Sequence, residues 1–359
     1  MKSCSATRAR VAKILGIMAV ACLLAGPLSS RAMSAQSGPP ATGPTFASHE
    51  AWRAFMAQVP MPLKGCFTAT YPDTTWHEVP CGTAPKLPYP PARGPRRSNI
   101  VGNELDFSAQ VTGHISMATG SFASVDVTSE SGYVNGVPPA ESNAYTLQLN
   151  SNFFSSAACS GATQPSNCRG WQQFVYSQTG CFGPCAFMQY WLINYGPASC
   201  PAGWFTFDED CYENSSSVFP PRQPIKNLRQ LSMTGKAVSG GNDTLIFSVG
   251  KQLYTVQNND DIVFLALGWQ QAEFNIFGDC CGVEAHFSPG STIVVRTRVD
   301  QGSAQSLSCA QDGFTGETNN LRLVKDLYGS PPRGTPPEIL FVESNNHFAT
   351  SAADCRAIQ

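Results

Sequence analysis

Residues 171–176 read Trp-Gln-Gln-Phe-Val-Tyr, and residues 187–195 read Phe-Met-Gln-Tyr-Trp-Leu-Ile-Asn-Tyr. Each run is rich in aromatic and aliphatic residues, and the stretch between them contains glycine, proline and serine, a pattern typical of two β-strands. Successive side chains of a strand point to opposite faces, so Gln172 and Gln173 are expected on different faces of the first strand. These two runs therefore predict two successive strands at the centre of the fold.

Short alternating runs of the same kind follow one another along most of the chain, with turn residues between them. Strands are predicted on both sides of the two central runs, at residues 123–128, 145–149, 230–238, 244–249, 251–257, 262–269, 272–277 and 291–299. About ten strands with almost no helix indicate a sandwich or a barrel. We predict an all-β domain, a two-sheet antiparallel β-sandwich, over residues 103–359.

The N-terminal part of the chain has a different composition. A basic start, an apolar run and small residues predict an export signal over residues 1–35, and hence a secreted or periplasmic protein. Residues 36–102 are rich in proline and end in the basic run 93–97, so we predict a leader or pro-region with a linker. The alternative is a structural N-terminal extension. One short helix is expected at residues 49–59.

The cysteines support an oxidising compartment. Cys4 and Cys22 lie in the predicted signal, and the other twelve of the 14 cysteines form an even set with short spacings. This usage is typical of disulfide-reinforced exported proteins. The closely spaced cysteines are expected to pair as Cys66–Cys81, Cys159–Cys168 and Cys200–Cys211. Cys181 is expected to pair with Cys185, and Cys280 or Cys281 with Cys309 or Cys355.

Composition excludes several classes of function. Charged residues make up 13% of the chain and the net charge is −2, so there is no basic stripe for nucleic acid. No stretch after the signal is long and apolar enough to span a membrane. Five histidines and no Gly-x-Ser-x-Gly or His-Glu-x-x-His motif argue against a metal centre or a serine triad. We expect no cofactor, no metal and a monomer.

The second central strand mixes amide and aromatic side chains on one face. Alternation places Gln189, Trp191, Ile193 and Tyr195 together. A face of this composition is too polar for an ordinary core and too aromatic for an ordinary surface. It is typical of the floor of a groove, although an amide ladder capped by aromatic rings on a solvent-facing sheet has the same composition.

The order of these strands resembles the glutamic peptidases of the eqolisin type. That family, a two-sheet sandwich, has a glutamine on a central strand, a Trp-Tyr-Glu-Trp-Tyr-like strand after it, and a later strand that begins Ala-Glu-(Phe or Trp). Here these positions read Trp171–Phe174, Gln189–Trp191 and Ala272–Phe277. The family's catalytic glutamate lies four residues after the first Glu of the last motif, and in this chain Phe277 occupies that position.

The resemblance implies a concanavalin- or eqolisin-like sandwich and an acid endopeptidase that hydrolyses extended polypeptides. A glutamate would act as general base on the attacking water, and a glutamine amide would donate to the oxyanion. The implied catalytic residues are Glu273 with Gln172 or Gln173, and Asp279 is a second candidate for the acid. The residues implied to bind substrate are Trp171, Gln189, Trp191 and Tyr195.

Two other functions fit the same residues. Sugar rings stack on aromatic faces, so Trp171, Trp191 and Tyr195 with Gln189 and Asn194 would also suit a polysaccharide-binding, lectin-like protein. A glycosidase would need two carboxylates a defined distance apart, which the sequence does not place. A structural secreted protein without a ligand site is the third reading.

Overall fold

The structure is a computed structural model, and it describes residues 44–61, 64–94, 100–196, 200–300, 306–325, 337–346 and 353–358. The predicted export signal lies outside the described residues, so secretion stays a prediction. No helix within these ranges is long and apolar enough to cross a membrane. All of the described residues belong to one compact unit, residues 44–359.

The described residues form one α-helix and 24 strands. The helix α1 spans His49–Met56 and begins at Ser48, whose hydroxyl accepts a hydrogen bond from Ala51 N. The first twelve strands are β1 (Gly65–Thr70), β2 (His77–Val79), β3 (Gly82–Thr83), β4 (Ile100–Gly102), β5 (Ser108–Val111), β6 (Met117–Asp126), β7 (Glu130–Tyr133), β8 (Ala140–Ser142), β9 (Tyr145–Ser151), β10 (Arg169–Ser177), β11 (Cys185–Ile193) and β12 (Phe205–Phe207).

The remaining strands follow the same antiparallel pattern with few exceptions. They are β13 (Asp210–Asn214), β14 (Ser216–Ser217), β15 (Leu231–Lys236), β16 (Asn242–Val249), β17 (Gln252–Asn259), β18 (Gln271–Gly278), β19 (Glu284–Phe287), β20 (Thr292–Asp300), β21 (Leu307–Ala310), β22 (Thr318–Val324), β23 (Glu338–Ser344) and β24 (Cys355–Ile358). Short 3₁₀ turns lie at Val134–Gly136, Ala157–Gly161, Ile225–Gln230, Asp260–Ile262 and Leu265–Leu267.

Two large sheets contain nearly all of the strands. The larger sheet has the order β2-β1-β17-β16-β15-β6-β20-β23-β22-β19-β7-β8, with β24 beside β23 and β4 beside β22. The smaller sheet has the order β12-β13-β11-β10-β9-β18-β5-β21. Strands β3 and β14 form a separate pair. The prediction of an all-β, disulfide-reinforced fold is confirmed.

The core lies between the two sheets, and two glycines of the larger sheet allow the sheets to approach. Phe174 and Phe274 of the smaller sheet are fully buried. A Cβ atom on Gly235 would lie 2.5 Å from the ring of Phe174, and one on Gly120 would lie 1.9 Å from the ring of Phe274. Only hydrogen at these positions leaves room for the two rings. We call the other face of the smaller sheet, which carries Gln173 and Glu273, the outer face. At β18 this face also contacts the larger sheet, because Asn275 donates a hydrogen bond to Glu343 of β23.

The strand predictions were accurate in the centre of the chain and wrong at one place. Residues 262–269 were predicted as a strand, but they contain the 3₁₀ turn Leu265–Leu267 after Phe264, which has a left-handed φ of 61°. The side chains of Val263, Leu265 and Trp269 are buried. A run of buried turns is therefore as apolar as a buried strand, and the sequence pattern does not distinguish them. Several other strands were not predicted, among them β5, β7, β13, β19 and β21 to β24.

The segment predicted as a leader contributes to the sandwich. Strand β1 pairs with β17 near one edge of the larger sheet, and Trp52 and Met56 of α1 pack with Leu253 in a separate small core. The predicted helix at residues 49–59 forms and ends slightly earlier, at Met56. The domain boundaries and the removal of residues 36–102 stay predictions.

Six disulfides join all twelve cysteines outside the predicted signal. They are Cys66–Cys81, Cys159–Cys168, Cys181–Cys185, Cys200–Cys211, Cys280–Cys281 and Cys309–Cys355. The first four pairs agree with the predictions. The expected pairing of Cys280 or Cys281 with Cys309 or Cys355 is wrong, because the two adjacent cysteines bond to each other. Cys309–Cys355 joins β21 of the smaller sheet to β24 of the larger one.

Candidate functional site

A row of six polar side chains crosses the outer face of the smaller sheet, one from each of six neighbouring strands. Strand register aligns them directly opposite one another, and we call them the polar row: Ser108, Glu273, Asn150, Gln173, Gln189 and Asn214. All except Asn214 are fully buried. Buried polar groups need hydrogen-bond partners, so the partners of each member decide what this face can do.

A row of aromatic rings runs beside the polar row on the same face. Trp171, Trp191, Tyr212 and Phe205 lie opposite one another on β10, β11, β13 and β12. The Trp171 and Trp191 rings are 6.0 Å apart, and the Trp191 and Tyr212 rings are 5.1 Å apart. Both tryptophans are fully buried. These rings pack on one another and form one wall of the face.

The amide of Gln173 is held in a fixed orientation. Trp191 Nε1 donates to Gln173 Oε1 at 3.0 Å, and Gln173 Nε2 donates to Gln148 Oε1 at 3.0 Å. The indole N–H is only a donor, so it fixes the oxygen end of the amide. An amide nitrogen carries two hydrogens, and Gln148 takes one of them. Gln173 is therefore a preoriented hydrogen-bond donor on the outer face.

Glu273 has one oxygen held and one oxygen without a partner. Oε2 accepts hydrogen bonds from Asn150 Nδ2 at 3.0 Å and from Phe314 N at 3.0 Å. Oε1 is buried and has no hydrogen-bond partner among the described residues. A Cβ atom on Gly313 would lie 3.1 Å from Oε1, so this glycine keeps the space beside the oxygen open. The carboxyl is positioned through one oxygen and leaves the other for a further partner.

Burial raises the pKa of Glu273 well above its usual range, and the nearby Asp106 carboxyl raises it further. The hydrogen bonds from Asn150 and Phe314 N act in the opposite direction. Asp106 and Glu343 also have raised pKa values because both are buried, and the hydrogen bonds that they accept from Asn275 act in the opposite direction. The buried carboxyl of Glu273 therefore stays protonated up to a higher pH than an exposed glutamate does.

The polar row is covered by two other parts of the chain. Residues 312–317, which we call the roof loop, lie over the Glu273 end, where Phe314 N binds the carboxyl. Residues 85–92, from the predicted leader, lie over the Gln189 end. The two covers are joined, because Ala92 N donates to Phe314 O and Gly316 N donates to Pro90 O, each at 2.8 Å.

Gln189 binds the main chain of the segment 85–92 with both ends of its amide. Tyr89 N donates to Gln189 Oε1 at 2.8 Å, and Gln189 Nε2 donates to Leu87 O at 3.0 Å. Asn214 Nδ2 donates to Pro85 O at 2.6 Å. Tyr212 is the next contact along the segment, and its hydroxyl donates to Lys86 O at 3.1 Å. The outer face therefore holds the segment 85–92 through its backbone.

The structure brings five of the seven site residues proposed from the sequence to the outer face: Gln173, Glu273, Trp171, Gln189 and Trp191. It does not bring Gln172 there. Gln172 points between the sheets, with Nε2 at 3.7 Å from Met188 Sδ, as expected from strand alternation. Tyr195 also lies elsewhere, because β11 ends at Ile193 and Asn194 has a φ of 56°, which reverses the alternation.

Asp279, the second candidate for the acid, lies away from the polar row at the end of β18. Its carboxylate accepts hydrogen bonds from Ser177 Oγ at 3.0 Å, from Thr179 Oγ1 at 2.5 Å and from Asn135 N at 2.9 Å. Both oxygens are used in holding these loops together. Asp279 therefore has a structural role in the described part of the chain.

Sequence reasoning missed Asn150, Gln148 and Asn214. A strand was predicted at residues 145–149, and the alternate residues Thr146, Gln148 and Asn150 of the observed strand Tyr145–Ser151 are all polar. That alternation is the signal that could have placed a polar stripe on the same face as Gln173. Among the described residues no cluster of histidine, cysteine and carboxylate side chains is arranged to hold a metal ion.

No known family and no curated protein matches this sequence. Two solved structures are similar to it, both of scytalido-glutamic peptidase. One holds a transition state analog inhibitor; it is 12% identical, covers 69% of this chain and 98% of its own, and gives a TM-score of 0.28. The other holds a peptide based transition state analog; it is 12% identical, covers 67% and 98%, and gives 0.29. Such low TM-scores are a weak link at the level of the fold and carry no argument about activity.

Proposed function

We propose that the protein binds an extended polypeptide along the outer face of its smaller sheet and hydrolyses it as an endopeptidase. The observation that carries this proposal is the amide of Gln189, which binds the C=O of residue 87 and the N–H of residue 89 at once. An extended chain presents these two groups on the same edge. The hydroxyls of a polysaccharide can also pair with an amide, but the chain that occupies Gln189 in this structure is a polypeptide.

The polar row supplies a carboxyl and an amide for hydrolysis. Glu273 Oε1 is without a partner, and Gln173 Nε2 has a second hydrogen to donate. Peptide hydrolysis needs a base for the attacking water and a donor for the oxyanion. Glu273 is proposed for the first role and Gln173 for the second, with Asn150 between them on β9 as the residue that positions the carboxyl.

The base must be ionised to act, so the closed state described above is inactive. When the covers leave the polar row, water reaches Glu273, and the main cause of its raised pKa is removed. Its pKa then falls toward the range of an exposed glutamate. The activity of the opened protein is therefore expected in mildly acidic solution.

The test is hydrolysis of denatured casein by the purified protein between about pH 2 and 7, before and after cleavage of the linker at residues 93–97. We expect cleavage by the wild type and a loss of more than about a hundredfold with Glu273→Gln and with Gln173→Ala. Gln172→Ala is the matched control, because Gln172 lies on the opposite face of the same strand. Equal activity of all variants would contradict the assignment.

A polysaccharide ligand is the other outcome of this test. The aromatic row that would stack on sugar rings is fully buried at Trp171 and Trp191 and packed against Phe153, Phe207 and Phe314. No cleavage of casein at any pH, together with binding to an insoluble polysaccharide that Trp191→Ala abolishes, would favour a lectin-like protein.

A further inference from the structure

Residues 85–92 are held mainly through their backbone carbonyls. Besides the contacts of Gln189, Tyr212 and Asn214, Cys281 N donates to Pro88 O at 3.2 Å. With Gly316 N on Pro90 O, the carbonyls of residues 85, 86, 87, 88 and 90 all accept hydrogen bonds. The outer face, the loop at Cys281 and the roof loop together supply five donors for five carbonyls in a short segment.

The segment has few backbone N–H groups, and the surface around it presents few hydrogen-bond acceptors. Pro85, Pro88, Pro90 and Pro91 have no backbone N–H to donate. Among the described residues, the N–H groups of Tyr89 and Ala92 are the ones that find acceptors, Gln189 Oε1 and Phe314 O. A site rich in donors and poor in acceptors suits a proline-rich polypeptide, because ordinary segments would leave buried N–H groups without partners.

One side chain anchors the segment. Tyr89 is fully buried and packs with Val175, Phe187 and Cys280, and its ring centroid is 5.8 Å from that of Phe187. Its hydroxyl is buried and has no hydrogen-bond partner among the described residues. The pocket therefore recognises the ring and gains nothing from the hydroxyl.

The segment belongs to a part of the chain that no disulfide ties to the rest. Cys66 and Cys81, the cysteines described within residues 44–94, bond to each other. Strand β1 lies next to the edge of the larger sheet, so β16 and β15 do not depend on it for their own pairing. Beyond Gly94 the chain continues into the basic run Arg96-Arg97. The covalent connection of residues 85–92 to the sandwich domain is therefore the linker, and their other contacts with it are noncovalent.

We propose that residues 85–92 are a tethered ligand, and that the outer face selects extended, proline-rich polypeptides that place an aromatic ring in the Tyr89 pocket. This inference rests on the proposed polypeptide-binding function and names its ligand class. The tethered copy keeps the site filled, because a short tether raises its local concentration to about the millimolar range. An external polypeptide binds when the tethered copy is weakened or cut.

The test uses the full chain and a labelled synthetic peptide with the sequence of residues 86–92, Lys-Leu-Pro-Tyr-Pro-Pro-Ala. We expect Tyr89→Ala protein to bind this peptide at least about a hundredfold more tightly than the wild type does, because the variant's own segment has lost its buried anchor. Peptide with Phe at the Tyr position should bind at least as well. Peptide with Ala there should bind at least about a hundredfold more weakly. Phe182→Ala, which removes a fully exposed ring, is the control and should leave binding as in the wild type.

A second variant and a second readout keep the inference falsifiable. Leu87→Ala removes a partly exposed side chain of the same segment and should increase peptide binding by a smaller factor. Circular dichroism confirms that each variant is folded. Equal binding of the Tyr and Ala peptides, or no binding by either folded variant, would overturn the inference. Binding is measured apart from hydrolysis, so a protein that binds the peptide and never cleaves casein would contradict only the endopeptidase.

Discussion

Gln189 shows at the scale of one residue how the outer face holds the backbone of residues 87 and 89. Its amide oxygen accepts from Tyr89 N and Trp191 Nε1, and its nitrogen donates to Leu87 O and Asn214 Oδ1. All four hydrogen-bonding positions of the amide are occupied. The side chain therefore has one orientation, and the backbone of the segment 85–92 has one register on the face.

Replacing this amide by an apolar side chain should destabilise the protein. Gln189→Leu keeps a similar volume and leaves Leu87 O and Tyr89 N buried without partners, which costs about 1–3 kcal/mol for each group. We expect a loss of this order in the free energy of unfolding, measured with urea. Gln252→Leu, at an exposed position of β17, is the control and should change it little. No difference in the free energy of unfolding between the two variants would contradict the role of Gln189 in holding residues 87 and 89.

The same residue illustrates what the sequence reveals. Strand alternation alone places Gln189 and Trp191 on one face of β11, since a period of two needs no tertiary information. Gln173 joins them through the register of β10 and β11. The partners of that face cannot be read in this way. Asn150 and Asn214 enter the polar row through strand order, and Tyr195 leaves the face because one left-handed residue, Asn194, follows β11.

At the scale of the elements, the close contact of the two sheets depends on Gly235 and Gly120. Gly235→Ala places a methyl group 2.5 Å from the ring of Phe174. Overpacking of this kind costs about 1–3 kcal/mol, so we expect a lower melting temperature. Ser121→Ala in β6 is the control, because it removes only a hydroxyl at a partly exposed position. An unchanged melting temperature for Gly235→Ala would show that the sheets are packed less closely than described.

The Cys309–Cys355 disulfide links the two sheets covalently, since it joins β21 to β24. The paired replacement Cys309→Ser with Cys355→Ser frees a loop of 46 residues in the unfolded chain. We expect a loss of about 2–4 kcal/mol in the free energy of unfolding. Replacing the pair Cys181 and Cys185, which closes a loop of only 4 residues, should cost less. The reverse order would contradict the assigned role of the long-range disulfide.

For elements, the sequence was informative where strands alternate and misleading where they do not. The strands around Phe174 and Phe274 were predicted because ladder pairing and core packing both follow the period of two. The turn at Leu265–Leu267 was not, since its buried apolar residues satisfy the core with a different backbone. The role of residues 85–92 was also missed, because proline-rich segments give no signal of what they bind.

At the scale of the whole molecule, buried carboxyl groups should make the protein more stable in acid than at alkaline pH. Burial raises the pKa of Glu317 to about 7 and those of Glu130 and Glu343 to about 8. The folded state therefore holds protons that the unfolded state releases near pH 4.5. Stability is greatest below that pH and falls as the pH rises toward about 8.

This pH dependence is measured as the urea midpoint at about pH 4 and about pH 8. One pKa unit corresponds to about 1.4 kcal/mol, so Glu317 alone should account for about 3 kcal/mol of the decrease. Glu317→Gln should remove that share of the pH dependence. An equal or higher midpoint at alkaline pH would contradict the protonated state of these groups.

The central claim is that the outer face of the smaller sheet binds and cleaves extended polypeptides once residues 85–92 leave it. The most direct measurement is mass spectrometry of a mixed peptide library after incubation in mild acid with the protein whose linker at residues 93–97 has been cut. We expect cleaved bonds to cluster around aromatic residues flanked by proline, and the products to be absent with Glu273→Gln. A library that stays intact, or that Glu273→Gln cleaves at the wild-type rate, would contradict the account.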